Sequence, residues 1–399
     1  MNQGLENLQP YPFEKLKDLL SGVTPPEGKA GISLSIGEPR HDTPGFVIKA
    51  MQDNLRLASR YPLTRGDATL REAISQWLVN RFSLQAASID PAKHVIPVNG
   101  TREALFAICH CLVDATQMDP LVLTGNPFYQ IYEGAALLSG ATPWYLNCTA
   151  ENDFIADYDA VDESTWQRTQ LLFLCSPNNP TGRVIGLETL QKLIRLSDEH
   201  DFVIASDECY SEIYLDEENP PVGLLEAAAK MGRHDYRNCL VFHSLSKRSN
   251  VPGLRSGFVA GDAGLVEQFY RYRTYHGCAM APYTQVASTL AWQDEEHVQE
   301  NRRLYREKFS SVVDVLSPVL QVEKPAASFY LWPETPVADT EFARGLFKEE
   351  HVTVLPGSYL SREVDGINPG NNRLRIALVA SKMECEEAAT RIVNFTRTL

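Results

Sequence analysis

The feature of this chain that most limits its fold is a series of short apolar runs, each ending in turn or polar residues. The runs are VIPVNG (95–100), LVLTG (121–125), LLFLCSPNNPTG (171–182), FVIASDE (202–208), CLVFHSLSK (239–247) and SGFVAGD (256–262). Because they are apolar on both faces, they suit strands buried between two layers, as in a parallel sheet. Helical patterns separate them, and this alternation predicts a layered α/β domain with ligands at the strand ends.

Two segments between the runs have the periodicity of amphipathic helices. In TREALFAICHCLV (101–113), Thr101 is the expected N-cap. The apolar face of this segment contains Ala104, Leu105, Ile108 and Leu112. In LETLQKLIRLSDEH (187–200), the corresponding face contains Leu187, Leu190, Leu193, Ile194 and Ser197. Both segments are therefore predicted to cover one side of the sheet.

The pattern changes after about residue 291. One long amphipathic helix (294–316) precedes a strand, a helix, two short strands and a terminal helix, which together predict a smaller α+β unit. We therefore expect a large domain over 45–290 and a small domain over 291–399. Residues 1–44 are rich in Pro and Gly and are expected to pack on the small domain.

Composition matters here for the classes of partner that it excludes. A net charge of −14 argues against a nucleic-acid partner. No stretch approaches the roughly 20 apolar residues of a membrane span, and the N-terminus lacks the pattern of a secretion signal. The eight cysteines show no CxxC pairs and the nine histidines no HxxxH spacing, so no metal site is expected. These observations predict a cytoplasmic protein.

Lys247 lies in SLSK (244–247), at the end of an apolar run. An ammonium group in such a place is costly unless it is paired or deprotonated, and a neutral amine is what a Schiff-base lysine requires. Taken alone, Lys247 is better explained as a surface lysine at a strand end. The surrounding motifs decide between the two interpretations.

An anion site can be derived from two further segments. Gly100 permits close backbone approach, and Thr101 and Arg102 open a helix whose free N–H groups attract an anion. Ser244 and Arg255 add a hydroxyl and a guanidinium, which suits a dianion such as a phosphate.

Several motifs together make the chain resemble a known family over essentially its full length. They are NGTRE (99–103), NPFYQIY (126–132), SPNNPTG (176–182), SDECY (206–210), SLSK with GLRSGF (253–258), and RLRIAL (373–378). The chain resembles the class I/II aminotransferases, which are fold-type I enzymes dependent on pyridoxal 5′-phosphate (PLP). The segments LQPYPFEKL (8–16) and ISLSIGEPRHDTPGF (32–46) resemble one subgroup, the bacterial succinyldiaminopimelate aminotransferases.

The resemblance implies a role for each cofactor-binding residue. Lys247 would hold PLP as a Schiff base and then move a proton between the substrate Cα and C4′ of the cofactor. Asp207 would keep the pyridine nitrogen protonated, so that the ring acts as an electron sink. Asn179 and Tyr210 would donate hydrogen bonds to the phenolate oxygen O3′, and Tyr129 would stack on the ring. A core tyrosine is the alternative for Tyr129.

The resemblance also implies a shared active site. Tyr61 matches a tyrosine that reaches the phosphate of the neighbouring subunit, which would require a homodimer; a plain surface tyrosine is the alternative. Arg375 would bind the substrate α-carboxylate by a bidentate fork, and Gly37 would cover it or simply form a turn. Arg373 should face the same side of its strand by period two, so the choice of Arg375 rests on the motif.

These implications predict transamination between an amino acid and an oxo-acid, with glutamate as donor and N-succinyl-2-amino-6-oxopimelate as acceptor. Both substrates end in a distal carboxylate, for which Arg40, Arg65 and Arg248 are the candidate partners. Three alternatives stay open: another aminotransferase of acetylornithine or aspartate type, a C–S β-lyase on the same fold, and a PLP-binding regulator without turnover. The last usually has a DNA-binding domain, for which only about forty residues precede the family-like part.

Overall fold

The computed structural model describes residues 3–399, in which the chain forms fourteen α-helices and twelve strands. The strands are β1 (Ile32–Ser33), β2 (Val95–Val98), β3 (Leu121–Asn126), β4 (Thr142–Asn147), β5 (Thr169–Cys175), β6 (Val203–Asp207), β7 (Cys239–Ser244), β8 (Gly257–Gly261), β9 (Tyr330–Leu331), β10 (Val352–Thr353), β11 (Leu355–Pro356) and β12 (Leu374–Ala377). The helices are α1 (Pro12–Leu20), α2 (Gly45–Asn54), α3 (Ala68–Phe82), α4 (Thr101–Leu112), α5 (Ile131–Ser139), α6 (Glu163–Arg168), α7 (Leu187–His200), α8 (Leu224–Lys230), α9 (Leu245–Arg248), α10 (Ala263–His276), α11 (Pro282–Gln293), α12 (Glu296–Leu316), α13 (Asp339–Glu350) and α14 (Lys382–Thr396).

A seven-stranded sheet organises the larger part of the chain. Its strand order is β2-β8-β7-β6-β5-β3-β4, and every neighbouring pair is parallel except the two that involve β8. All six apolar runs picked out in the sequence form strands of this sheet. The predicted α/β class, with a mostly parallel central sheet, is confirmed.

Both faces of the sheet are covered by helices, which explains why the runs are apolar throughout. In β5, Leu171 and Phe173 join one apolar cluster, while Leu172 and Leu174 join the cluster on the opposite face. Helices α4, α5 and α10 contribute to the first cluster, and α3, α7, α8 and α11 contribute to the second. Alternate side chains of one strand therefore pack into two separate cores.

The two amphipathic segments form α4 and α7 as predicted, with one correction at the start of α4. Thr101 is the first helical residue, and Gly100, with φ of 93°, occupies the cap position. A side chain at that φ would be strained, so the cap is a glycine and the hydroxyl of Thr101 is free to contact Cys209 instead, at 3.0 Å.

The edge strand β4 was not anticipated from the sequence. Its residues TPWYLN alternate between exposed and partly buried positions, and it contains Pro143. Proline has no N–H group to donate to a neighbouring strand, so it is tolerated in an edge strand, which pairs with one neighbour only. The run therefore lacks the continuous apolar character of the other six strands.

The C-terminal part of the chain forms a separate apolar core around α12, α13 and α14. Its antiparallel sheet has the order β11-β12-β9, and β1 from the N-terminal segment pairs in parallel with β10. Among residues 3–399, no helix is both long enough and apolar enough to cross a bilayer. The domain limits at 45, 290 and 291 stay predictions.

Candidate active site

The carboxyl ends of neighbouring strands bring the polar motifs to one edge of the large sheet. Asp207 is the last residue of β6, Ser244 is the last residue of β7, and the loop after β2 leads directly into α4. Because β6 and β7 are adjacent and parallel, these ends lie side by side. Ligands of open α/β sheets bind at such an edge.

Lys247 lies on α9, the single helical turn that follows β7. Its amine donates a short hydrogen bond to the carbonyl oxygen of Gly37 and lies 5.3 Å from the centre of the Phe329 ring. Burial lowers the pKa of Lys247 to about 8, and the positive charge of Arg375 acts in the same direction. The amine is therefore neutral in a much larger fraction of molecules near neutral pH than an ordinary lysine.

Asp207 is buried at the base of the pocket, with two neutral donors. The hydroxyl of Tyr132 donates to its Oδ2 at 2.8 Å, and the backbone N–H of Cys209 donates to its Oδ1 at 3.2 Å. Burial raises the pKa of Asp207, and these hydrogen bonds only partly oppose that effect. A cation placed against this carboxylate would restore its ionised form.

The N-terminus of α4 forms the anion-binding end of the pocket. Arg255 approaches Gly100 so closely that a Cβ atom there would lie 2.0 Å from the guanidinium. The same guanidinium pairs with Glu103 at 2.7 Å, in a contact that is about half exposed to solvent. Thr101 and Arg102 complete this end of the pocket. Helix N–H groups, a hydroxyl and an arginine therefore converge there.

Arg375 forms the opposite end of the pocket. This buried side chain donates to Oδ1 of Asn179 at 3.0 Å and to the carbonyl oxygen of Ser35 at 2.7 Å. Its guanidinium lies 4.7 Å from the centre of the Tyr330 ring, and the Tyr330 hydroxyl is 2.9 Å from that of Tyr210. With its oxygen held by Arg375, the Asn179 amide keeps its N–H groups available as donors.

Gly37 is a glycine because Tyr330 fills the space beside it. A Cβ atom at this position would lie 2.0 Å from the Tyr330 hydroxyl oxygen. Its carbonyl also accepts the bond from Lys247. A close approach of two segments, rather than a turn, explains this residue.

The structure brings all but one of the predicted site residues to this pocket, a cavity of about 300 Å³ and thus within the range of small-molecule sites. Its lining includes Gly37, Thr101, Arg102, Tyr129, Asn179, Asp207, Tyr210, Ser244, Lys247, Arg255 and Arg375. Gly100 lies against Arg255 at its border. Tyr61 is the exception, since it is fully exposed and does not line the pocket of its own chain.

The three arginines suggested for a distal carboxylate lie elsewhere. Arg248 is buried, bonds the carbonyl of Ala291 at 2.6 Å and packs against Trp292. Arg65 pairs with Glu267 on the surface, and Arg40 is exposed outside the pocket lining. Arg248 is thus committed to contacts inside its own chain. Arg40 and Arg65 do not line the pocket of their own chain, and a role for them at the distal carboxylate stays a prediction.

Arg373 also departs from the sequence expectation. It precedes β12, bonds the carbonyl of Trp332 at 3.3 Å and pairs with Glu334 at 3.1 Å. It lines a neighbouring cavity with Arg183 instead of the pocket that contains Arg375.

Sequence reasoning missed several residues that line the pocket or, like Tyr132, bond to a residue that lines it. Tyr132 follows Tyr129 by three residues at the start of α5, and this spacing could have indicated a second tyrosine on the same side. The sequence places Tyr330 in a predicted strand but does not indicate that its side chain lines the pocket. Tyr11 and Phe13, at the start of α1, reach the pocket from the N-terminal segment, and no local pattern predicts that contact.

Comparison with known proteins decides the family. The sequence model of the protein family described as aminotransferase class I and II matches residues 29–392. The chain belongs to this family.

Individual relatives agree with this result. An LL-diaminopimelate aminotransferase of Nitratidesulfovibrio vulgaris strain Hildenborough is 32% identical over 396 residues, which cover 98% of this chain and 97% of the relative. The crystal structure of an aminotransferase from Neisseria meningitidis Z2491 is 47% identical, with a TM-score of 0.94 and 99% of both chains covered. A probable N-succinyldiaminopimelate aminotransferase from Thermus thermophilus is 25% identical, with a TM-score of 0.84, and covers 96% of this chain and 100% of the other.

Enzymes of this family depend on PLP, and this aminotransferase is a PLP-dependent transaminase. The pocket fits the cofactor, because each chemical group of PLP has a matching group here. The amine of Lys247, with its pKa lowered to about 8, suits the aldehyde, and the buried carboxylate of Asp207 suits a protonated pyridine nitrogen. The N-terminus of α4 with Arg255 suits the phosphate, and the free N–H groups of Asn179 suit the phenolate oxygen.

Replacing Tyr132 by Phe should weaken the electrostatic support of Asp207 without changing the packing. A hydrogen bond to a charged group contributes about 1.5–3 kcal/mol. We therefore expect kcat to fall about tenfold or more, with faster loss of PLP on dilution. Steady-state kinetics and absorbance spectroscopy would measure both. Tyr158→Phe, which removes a buried hydroxyl away from Asp207, serves as the control, and equal effects of the two variants would contradict the role of Tyr132.

The lowered pKa of Lys247 predicts a pH dependence for cofactor binding. Only the neutral amine attacks the PLP aldehyde, and this form dominates above the pKa. The binding rate of PLP to the cofactor-free enzyme should therefore rise with pH around a midpoint of about 8. Stopped-flow absorbance would record it, with butylamine and PLP as the free-solution reference. A midpoint near the ordinary lysine value of about 10.4 would contradict the prediction.

Proposed function

We propose that this enzyme transfers the amino group of glutamate to N-succinyl-2-amino-6-oxopimelate, a step of diaminopimelate and lysine biosynthesis. The observation that supports this choice is where the subgroup-like segments lie. LQPYPFEKL supplies Tyr11 and Phe13, and ISLSIGEPRHDTPGF supplies Ile36 and Gly37, and all four residues line the pocket. The segments that resemble succinyldiaminopimelate aminotransferases thus contact the space where a substrate would lie.

The names of two relatives point to substrates with the carbon skeleton of diaminopimelate, as in the proposed reaction. One is named for LL-diaminopimelate and another for N-succinyldiaminopimelate, which differ by the succinyl group on one amine. The names therefore favour a second candidate, in which the acceptor is the unsuccinylated oxo-acid. The aromatic rings of Tyr11 and Phe13 provide apolar surface for a longer acyl chain, which is our reason for preferring the succinylated acceptor.

The overall reaction balances without any further oxidant or reductant. The Cα of glutamate loses its amino group and becomes the ketone of 2-oxoglutarate, while the C6 ketone of the acceptor becomes an amine. One water is consumed in the first half and one is released in the second. Bound PLP supplies a carrier for the amino group and an electron sink for the negative charge at Cα.

The protein's own residues would divide the work as follows. Lys247 would hold the cofactor and move the proton at the substrate Cα, and its low pKa suits a base near neutral pH. Asp207 would hold a proton on the pyridine nitrogen. Asn179 and Tyr210 would orient the ring through O3′, and Tyr129 would pack on its face.

Two arginines would bind the ends of the substrate. Arg375 would hold the α-carboxylate, since it lies buried at the end of the pocket beside Asn179. For the distal carboxylate we propose Arg102, which lines the pocket and makes no ion pair with any residue from 3 to 399. Its backbone N–H would still belong to the phosphate site at the start of α4, so the backbone and side chain would serve different anions.

A homodimer would explain Tyr61. Its side chain is 101% exposed in the single chain, beside Leu63, which is 68% exposed. A large aromatic ring that is exposed in its own chain is suited to pack in the site of a partner subunit. We propose that it reaches the phosphate of the other subunit. A cytoplasmic location stays a prediction.

A panel of acceptors would test the proposed reaction. The enzyme is first converted to its amino form with glutamate, and each oxo-acid is then added while the return of the visible PLP band is followed. We expect N-succinyl-2-amino-6-oxopimelate to react at least about tenfold faster than pyruvate or oxaloacetate, since a well-placed ion pair with a substrate is a charge-assisted contact. Faster turnover of the unsuccinylated acceptor would favour the second candidate, and pyruvate released from cystathionine would favour the lyase.

The matched variant for this panel is Arg102→Met, which keeps a long side chain and removes the charge. It should slow the reaction with acceptors that have a distal carboxylate and leave pyruvate nearly unaffected. An equal loss on all acceptors would show that Arg102 acts on the cofactor rather than on the distal carboxylate.

Mixing two inactive variants would test the shared site. If Tyr61 completes the partner's pocket, a heterodimer of Tyr61→Ala and Arg375→Ala contains one pocket with neither substitution. With random assortment, about half of the dimers are heterodimers, and one of the two pockets in each heterodimer is intact. The mixture should therefore recover about a quarter of the wild-type activity. Heterodimers can be isolated with two affinity tags, and isolated heterodimers without recovered activity would contradict the proposal.

A further inference from the structure

The helix that contains Lys247 is too short to stabilise itself. Helix α9 has only four residues, and a single turn gains few internal hydrogen bonds for the backbone that it fixes. Its start is capped by the hydroxyl of Ser244, which accepts from the N–H of Ser246 at 3.1 Å. Its last carbonyl groups need partners from elsewhere in the fold.

Asn301 of α12 supplies those partners. Its side-chain Nδ2 donates to the carbonyl oxygen of Lys247 at 3.2 Å and to that of Arg248 at 3.4 Å. The residue is only 2% exposed, so water does not replace these bonds. A side chain 54 positions later in the chain thus bonds to the backbone of the lysine itself.

The opposite side of the same amide fixes its orientation. Oδ1 of Asn301 accepts from Nδ2 of Asn250 at 3.1 Å and lies 2.7 Å from Nδ1 of His41. A reversed amide would place its own oxygen against the carbonyl oxygens of Lys247 and Arg248, which cannot donate. The surrounding groups therefore allow one orientation only, in which the donor faces Lys247.

We infer that Asn301 is a positioning residue, which holds the α9 backbone so that the amine of Lys247 points into the pocket. The inference rests on the proposed role of Lys247. Within residues 3–399, the lysine amine contacts a carbonyl oxygen and an aromatic ring, and no carboxylate fixes its direction. A flexible side chain depends on where its backbone lies, and a misplacement of about 1 Å in an active site can cost about a hundredfold in rate.

His41 and Thr43 extend this support to the N-terminal segment. His41 packs on Tyr305 of α12, with ring centres 4.5 Å apart, and Thr43 donates to the carbonyl oxygen of Asn250 at 2.9 Å. Asn301 therefore lies where α12, the N-terminal segment and the lysine loop meet.

Two variants test the inference with different packing effects. Asn301→Leu keeps the branched shape of the side chain and removes the donor, while Asn301→Ala leaves room for a water. Tyr305→Phe is the matched control, because the Tyr305 hydroxyl is buried on the same helix without a hydrogen-bond partner within residues 3–399. Each variant is purified with PLP, and its kinetics, its melting temperature and the pH titration of its visible PLP band are measured.

For both Asn301 variants we expect kcat to fall about 10- to 100-fold, with KM changed by less than about threefold and with a shifted midpoint of the band titration. The control should keep the wild-type kcat and midpoint. A lower melting temperature with an unmoved midpoint, or kcat within about threefold of wild type in either folded variant, would overturn the inference.

Lys247→Ala separates this inference from the function on which it rests. Loss of the visible band and of turnover in that variant, together with normal Asn301 variants, would reject only the positioning role. A band and turnover that persist in Lys247→Ala would reject the proposed lysine itself, and the inference with it.

Discussion

The site depends on a buried carboxylate that the protein does not neutralise by itself. Asp207 lies at the end of a central strand, with its charge supported by a tyrosine hydroxyl and a backbone N–H but paired with no lysine or arginine within residues 3–399. Burying such a group is unfavourable unless a cation joins it. A cofactor with a protonated ring nitrogen would supply that cation, which would link cofactor binding to the stability of the site. Burial also lowers the pKa of Lys247 to about 8, because it disfavours the ammonium form of the amine.

Most of the site could be predicted because its residues follow strands that the sequence marks clearly. Asp207 ends a buried strand, and Lys247 and Asn179 follow two others within a few residues; adjacent parallel strands bring such ends together. Tyr61 could be matched only through the family. Its exposure in the single chain is consistent with a role in a dimer but does not test it.

The misses have physical causes that a single sequence does not reveal. Arg248 follows Lys247 directly, yet its side chain turns away to bond the carbonyl groups of Ala291 and Asp294 at the end of α11, which sequence spacing cannot indicate. Tyr11 and Phe13 reach the pocket because the N-terminal segment folds back over it, a contact across hundreds of residues. Strand β4 is hard to predict because an edge strand with one solvent-facing side lacks the continuous apolar run of the buried strands.

The direction of β8 has a consequence for how the cofactor is held. Because β8 runs opposite to β7, Ser244 and Gly257 are paired across the two strands, and the chain between them leaves and returns to the same point. This loop contains both Lys247 and Arg255, the covalent and the ionic anchor proposed for PLP. The spacing of the two anchors is thus set within one short closed segment. The pairing of β7 with β8 would therefore fix both ends of the segment that holds the cofactor.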